Sequence, residues 1–394
     1  MGDDRLIVGA DARPITPDLS TDTVFLAGFD MDRPATAVHD DLMVRTVAIS
    51  DGDGEPIVLS VCDLIGLTRV HSDKGRRVLA CTHTHHGPDG LGFWGKPFEG
   101  VTGIDHAYLE RVRGIVAESQ AAAVAAMEPA SIMAGSVAVP ELVKNLRNPT
   151  VLDDELSVVR AVRDDGSVVA TLLGYACHPE VVAADGTDVT ADFPGHLCRS
   201  VEAAVGGVAV FAVGALGGMQ SPDTEVNTHE EAERFGRVLA EAAERALVGV
   251  DADPAPTLGF GRAEVVFRLE NPLYTMGMEL GLVPQAELRG EDGVSEVSLI
   301  RIGPAMLASV PGELFPELGL QLKASMRAAG ATVPVVVGLA DDELGYLIPA
   351  EDFVYPADYL DPGKQYEESF SAGPTVAPAV TAALTALIAQ VAAP

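Results

Sequence analysis

Residues 78–90 read VLACTHTHHGPDG: a short apolar run, three histidines within four positions, and then Gly87-Pro88. An apolar run of this length closed by Gly-Pro predicts a buried strand that ends at the turn. On such a strand the two-residue period places Cys81, His83 and His85 on one side, so His83 and His85 converge at a strand end. The alternative is a pair of hydrogen-bonded loop histidines, and the local pattern leaves both readings open.

Outward from this stretch, short β-rich runs alternate with helical ones, which predicts an α/β fold of mixed sheets with flanking helices. Strands are expected in LMVRTVAIS, PIVLSVCDL, LSVVRAV, SVVATLLGYAC, VAVFAVG, VSLIRIG and PVVVGLA. Helices are expected over 106–127, 194–205, 228–248, 316–329 and 376–391. The polar segments 141–154 and 341–374 read as long functional loops. No repeat or low-complexity linker divides the chain.

With 26 Lys+Arg against 58 Asp+Glu, the 394-residue chain carries a net charge of −32. That charge disfavours nucleic acid and anionic lipid as partners. Cys62, Cys81, Cys177 and Cys198 lie in or beside apolar runs without close pairing, so they are expected reduced and buried. The acidic start lacks the pattern of a secretory leader, and a cytoplasmic location is the expectation, with secretion open to a trimmed chain. In the apolar C-terminal segment, Val380, Leu384, Leu387, Ile388 and Val391 recur at helical spacing, which predicts a core-facing helix rather than a membrane span.

Three further segments carry candidate chemistry. In LLGYACHPEVV an apolar strand runs into His178-Pro179, which puts another histidine at a strand end; a capping or core histidine is the plainer reading. Two strand-end histidines from distant segments are what a fold-assembled metal site requires. In MLASVPGELFPELG a strand meets a Pro-Gly turn and Glu313 is expected to open the next helix, either as a ligand or simply as a complement to the helix dipole. The segment 341–374 holds four of the seven tyrosines and suggests a substrate wall, an interface or a core anchor.

The ordered motifs THTHHGP, HPE, VPGE and GYLIP…YEES resemble the neutral ceramidases, the zinc-dependent N-acylsphingosine amidohydrolases. Matching stretches are VGADARPITP, VHDDLMVRTVAI, NLRNPTVLDDELSVVR and GALGGMQSP, so the resemblance spans about residues 7–374. It implies that residues 1–394 form one catalytic domain like the family's N-terminal domain. It implies Zn2+ held by His83, His178, Glu313 and Tyr346, and attack of a zinc-bound water on an amide. It further implies that His85 is a proton donor, with Arg147 and Tyr366 as partners of the substrate carbonyl.

Four departures qualify what the resemblance implies. Asn145-Leu146-Arg147 shifts the arginine by one, Gly-Gly-Met stands where an acid is usual, and His86 follows the His-Thr-His at once, a bulky donor at the expected pocket entrance. The residues after the motifs are also too few for an immunoglobulin-like domain, which is therefore not expected within 1–394. The expected substrate is therefore an N-acyl amide, ceramide-like or smaller and more soluble, and a homo-oligomer is allowed. A metallo-β-lactamase-like site is disfavoured because Asp89 comes too late after the histidines, and a two-metal phosphoesterase wants more carboxylates. An amide-forming acyltransferase or cyclase on the same site, or a catalytically silent metal-containing binding protein, are the alternatives.

Overall fold

The computed structural model describes residues 5–72 and 74–391. Its first large sheet has eight strands: β1 (Leu6–Pro14), β2 (Met43–Ser50), β3 (Ile57–Cys62), β4 (Arg77–Cys81), β5 (Glu128–Ala138), β6 (Glu155–Val162), β7 (Val168–Tyr175) and β8 (Val208–Val213). Their order is β8-β7-β6-β5-β1-β2-β3-β4, with the two outermost pairs parallel and the rest antiparallel. The sheet turns within β5, whose first residues pair with β1 and whose later ones pair with β6. Strand β8 thereby comes back against β2, β3 and β4.

A second sheet contains β9 (Leu258–Arg268), β10 (Asp292–Ile302), β11 (Ala305–Ser309) and, beyond the two-residue strand β12 (Glu313–Leu314), β13 (Val333–Val337), which pairs parallel with β11. Strand β12 pairs parallel with β14 (Tyr346–Leu347), in register Glu313 to Tyr346.

The helices follow the expected segments closely: α1 (His106–Ala125), α2 (Asp192–Val205), α3 (His229–Ala246), α4 (Pro272–Glu279), α5 (Pro316–Ala328), α6 (Tyr366–Ser369) and α7 (Val376–Val391). Of these, α4 and α6 were not anticipated.

Four layers result. Helices α1, α2 and α3 cover the outer face of the first sheet through Leu109, Val112, Leu197, Val201, Phe235 and Leu239. The two sheets face each other across Val8, Ile49, Leu59, Val159, Leu172, Ile300, Leu307 and Val335. Helices α5 and α7 close the far side through Leu322, Met326, Leu384 and Leu387. Strand β8 illustrates the logic: Val210 and Ala212 face the other sheet while Ala209, Phe211 and Val213 face helices, so a continuous apolar run is the only sequence both faces accept. All four cysteines are buried and in no disulfide, and among the described residues no helix is long and apolar enough to cross a membrane.

Two local expectations are corrected. The strand of the opening stretch ends at Cys81, and His83 takes a left-handed backbone with φ 69°, so the strand period does not align His83 with His85. The chain turns because main-chain bonds from Thr82 to Cys62 and from His83 to Leu64 fold it over the end of β3. Glu313 does not open a helix. It lies in β12, and α5 begins two residues after Leu314 with Pro316, whose missing N–H suits a first-turn position.

Candidate metal centre

The chemistry-bearing side chains all follow carboxyl ends of strands that belong to parallel pairs. His83 and His85 come after β4, His178 after β7, Glu313 after β11, and Tyr346 after β13. Such ends are where open α/β sheets bind ligands, because the loops there diverge and leave a crevice. The segment after β13 ties these ends together: Cys81 N–H donates to Leu339 O at 3.1 Å, and Gly338 N–H to Val213 O at 2.8 Å.

His83 and His178 are buried, and each directs Nδ1 at a main-chain carbonyl: Ile65 O at 2.7 Å and Gln220 O at 3.0 Å. A carbonyl accepts only, so both rings carry a proton on Nδ1 and leave Nε2 as the atom that would ligate a metal once free of a proton. Both Nε2 atoms then meet one oxygen, Glu313 Oε2, at 3.4 and 3.1 Å. Two lone pairs facing a carboxylate oxygen repel unless a cation or a proton sits among them. Burial works against charge on His178, yet the hydrogen bond to Glu313 and the carboxylate of Glu180 lift it to about 9. Glu313, despite its burial, is drawn down to about 2 by the same imidazoles.

His85 completes the cluster. The ligating atoms of His83, His85 and His178 all lie within 4.8 Å of one another. Neither ring nitrogen of His85 has a hydrogen-bond partner among the described residues; Nδ1 stands 3.5 Å from Glu180 Oε2. Burial, reinforced by His83, His178, His86 and Arg33, pushes its pKa well below the ordinary imidazole value, so the ring is neutral. Gly28 permits its position, since a Cβ there would lie 2.3 Å from His85 Cγ.

Tyr346 lies beside Glu313 in the β12/β14 register, lines the same cavity and places its hydroxyl 3.5 Å from Met219 Sδ. Burial and then Glu313 raise its phenol well above the usual value. The methionine of the Gly-Gly-Met departure therefore supplies an apolar, polarisable neighbour to this tyrosine. Tyr366 lines the cavity as well, its ring 6.3 Å from that of Tyr346. Tyr355 and Tyr359 of the same loop do not line it: Tyr355 is exposed and donates to Glu270 at 2.6 Å.

Arg147 lies outside the cavity lining. Its guanidinium pairs with Glu367 and with Glu368 at 2.8 Å, next to Tyr366 in the chain, and stacks over Phe315 at 5.0 Å. His86 is not at an entrance. It is fully buried, with Nδ1 at 3.1 Å from Asp188 O and its ring edge-on to Phe29, and it does not line the cavity. Burial holds His86 at about 4.

The cavity enclosed by His83, His85, Glu313, Tyr346 and Tyr366 measures about 30 Å³, enough for an ion and one or two waters. The sequence reading assigned no role to several residues that build it: Phe93, Trp94, Tyr274, Glu343 and, beside His85, Glu180. Glu180 had a signal, two positions after His178 in the HPE motif. The aromatic residues had none: Phe93 and Trp94 follow His85 by eight and nine positions without a marking pattern, and Tyr274 comes from the unanticipated helix α4. The donor set of imidazole nitrogens, a carboxylate and a phenol, all buried and tautomerically fixed, fits a divalent transition metal such as zinc.

Neither a scan of family models nor a search of curated proteins finds a match to the sequence. Solved structures do match. The crystal structure of neutral ceramidase from Pseudomonas aeruginosa superimposes with a TM-score of 0.76 at 18% identity, over 98% of this chain and 74% of that one. A ceramidase complexed with C2 gives the same score and identity, over 98% and 75%. The architecture described above is therefore that of neutral ceramidase, in agreement with the resemblance of the motifs.

Proposed function

We propose that the protein is a zinc-dependent amidohydrolase that cleaves the amide bond of an N-acyl compound. One observation carries the reading: two buried histidines, each locked by a carbonyl on Nδ1, present both Nε2 atoms to a single carboxylate oxygen. His83, His178, Glu313 and Tyr346 would hold the metal, which supplies Lewis acidity for hydrolysis of the amide.

The rest of the work falls to side chains of this chain. Neutral His85, with both ring nitrogens free and Glu180 nearby, can take up a proton and deliver it to the departing amine. Tyr366, although 41% exposed, keeps its phenol proton, its pKa raised above the ordinary phenol value by partial desolvation and then by Glu313, so it can donate to the oxygen where negative charge develops. Arg147 fixes the segment bearing Tyr366 through Glu367 and Glu368, a positioning role. Ceramidase-like chemistry on a more soluble amide agrees with the net charge of −32, which disfavours anionic membranes.

A panel of N-acyl amides of varied chain length and head group, assayed with and without chelator, tests this. Cleavage that chelation abolishes and zinc restores is the expected result; no cleavage of any amide, or cleavage indifferent to chelation, would overturn it.

A further inference from the structure

Glu343 stands apart from the metal-facing residues yet lines their cavity. The segment after β13 carries it inward, where it is only 6% exposed. One oxygen, Oε1, accepts from Gly345 N–H at 3.0 Å. The other, Oε2, is buried with no partner among the described residues. Its stem packs against Gly66, where a Cβ would lie 3.0 Å from Glu343 Cγ, so a residue with a side chain there would crowd it.

The surroundings indicate what the free oxygen lacks. No lysine or arginine lines the metal cavity, although Glu313 and Glu343 both do. A second cavity of about 40 Å³ adjoins the first and shares Leu91, Phe93, Tyr274 and Glu343 as walls. It is mostly apolar, walled by Phe267, Met278, Val283 and Val294. Its one arginine, Arg69, is engaged with Glu287 at 3.0 Å and Glu296 at 3.6 Å. A buried carboxyl must be protonated or paired: burial and then Glu313 push Glu343 well above the ordinary carboxylate value, and a cation brought to its free oxygen would supply the partner it lacks.

We propose that Glu343 is a specificity residue that receives an ammonium group of the substrate, so that the amide cleaved carries a second, protonated amine whose flanking methyl or methylene enters the adjoining recess. This deepens the amidohydrolase reading and rests on it. The pairing is of the charge-assisted kind, and its geometry is set before binding by Gly66 and Gly345.

The test uses the full chain with its metal and matched short N-acyl amides whose amine half ends in ammonium, hydroxyl, methyl or carboxylate. The ammonium substrate should exceed the methyl one in kcat/KM by about tenfold or more, with the carboxylate one poorest. In Glu343→Gln, of nearly the same shape, that ratio should fall to near unity through KM. No ammonium advantage in the wild type, or an advantage that survives in the variant, would overturn the proposal. Inhibitor binding separates the two readings: if no amide is cleaved, the amidohydrolase reading fails. Tighter binding of an alkylammonium ion than of the matching alcohol, lost in Glu343→Gln, would still support the site; equal binding would sink it. The wild-type comparison alone decides the matter should the variant not fold.

Discussion

His178 Nε2 and Glu313 Oε2 lie 3.1 Å apart, brought together from 135 positions of separation in the chain. Neither residue reaches the other by local structure: His178 hangs from Gln220 O, and Glu313 from the two-residue pairing with the Tyr346 strand. The pair exists only because two sheets are packed face to face with their parallel strands ending on the same side.

His85 is close enough to the other two imidazoles to be a third ligand, yet its free nitrogens also suit proton transfer. The account assigns it the second role. His85→Ala should keep its metal while losing about 100- to 10,000-fold in turnover. Metal content measured beside kcat checks this; loss of the metal would make His85 a ligand instead.

Arg147 is predicted to matter for the stability of the segment bearing Tyr366. Arg147→Ala leaves the buried carboxylates of Glu367 and Glu368 without their cation, a loss of about 2–4 kcal/mol. Thermal unfolding reads it directly. Replacing Glu367 and Glu368 by glutamine in the same background should recover much of the loss, because the unpaired charges are then gone.

Asp192 gives a pH signature away from the metal. Burial raises its carboxyl from 3.8 to about 6, although the main-chain N–H groups of Val182 and Phe193 oppose the shift. Between about pH 4 and 6 the folded chain therefore binds more protons here than the unfolded one. Its contribution to stability is fully present below about pH 4 and is lost as pH rises toward 6, by about 2–3 kcal/mol. Asp192→Asn, tolerated at φ 53°, should remove that component. Melting temperatures compared from pH 4 to 7 should show the wild type losing more than the variant.

Much of the architecture was legible because the core strands are apolar on both faces and the long helices carry clear stripes. Strand β8 and helix α7 are examples, the latter burying Val380, Leu384, Leu387 and Ile388 as its spacing foretold. The geometry of the site was less so. The left-handed turn at His83 depends on bonds to Cys62 and Leu64, and the placement of Glu313 depends on pairing with a segment 33 residues later; neither leaves a mark in the local pattern. Glu343 sits in the polar segment that reads as a long loop, and only the path of the chain between β13 and Tyr346 buries it.

The most direct test is the zinc content of the purified protein, measured per chain beside that of His178→Ala. About one ion per chain in the wild type and close to none in the variant is the predicted result. A wild type without zinc when the metal is supplied, or a variant that binds it as fully, would contradict the account.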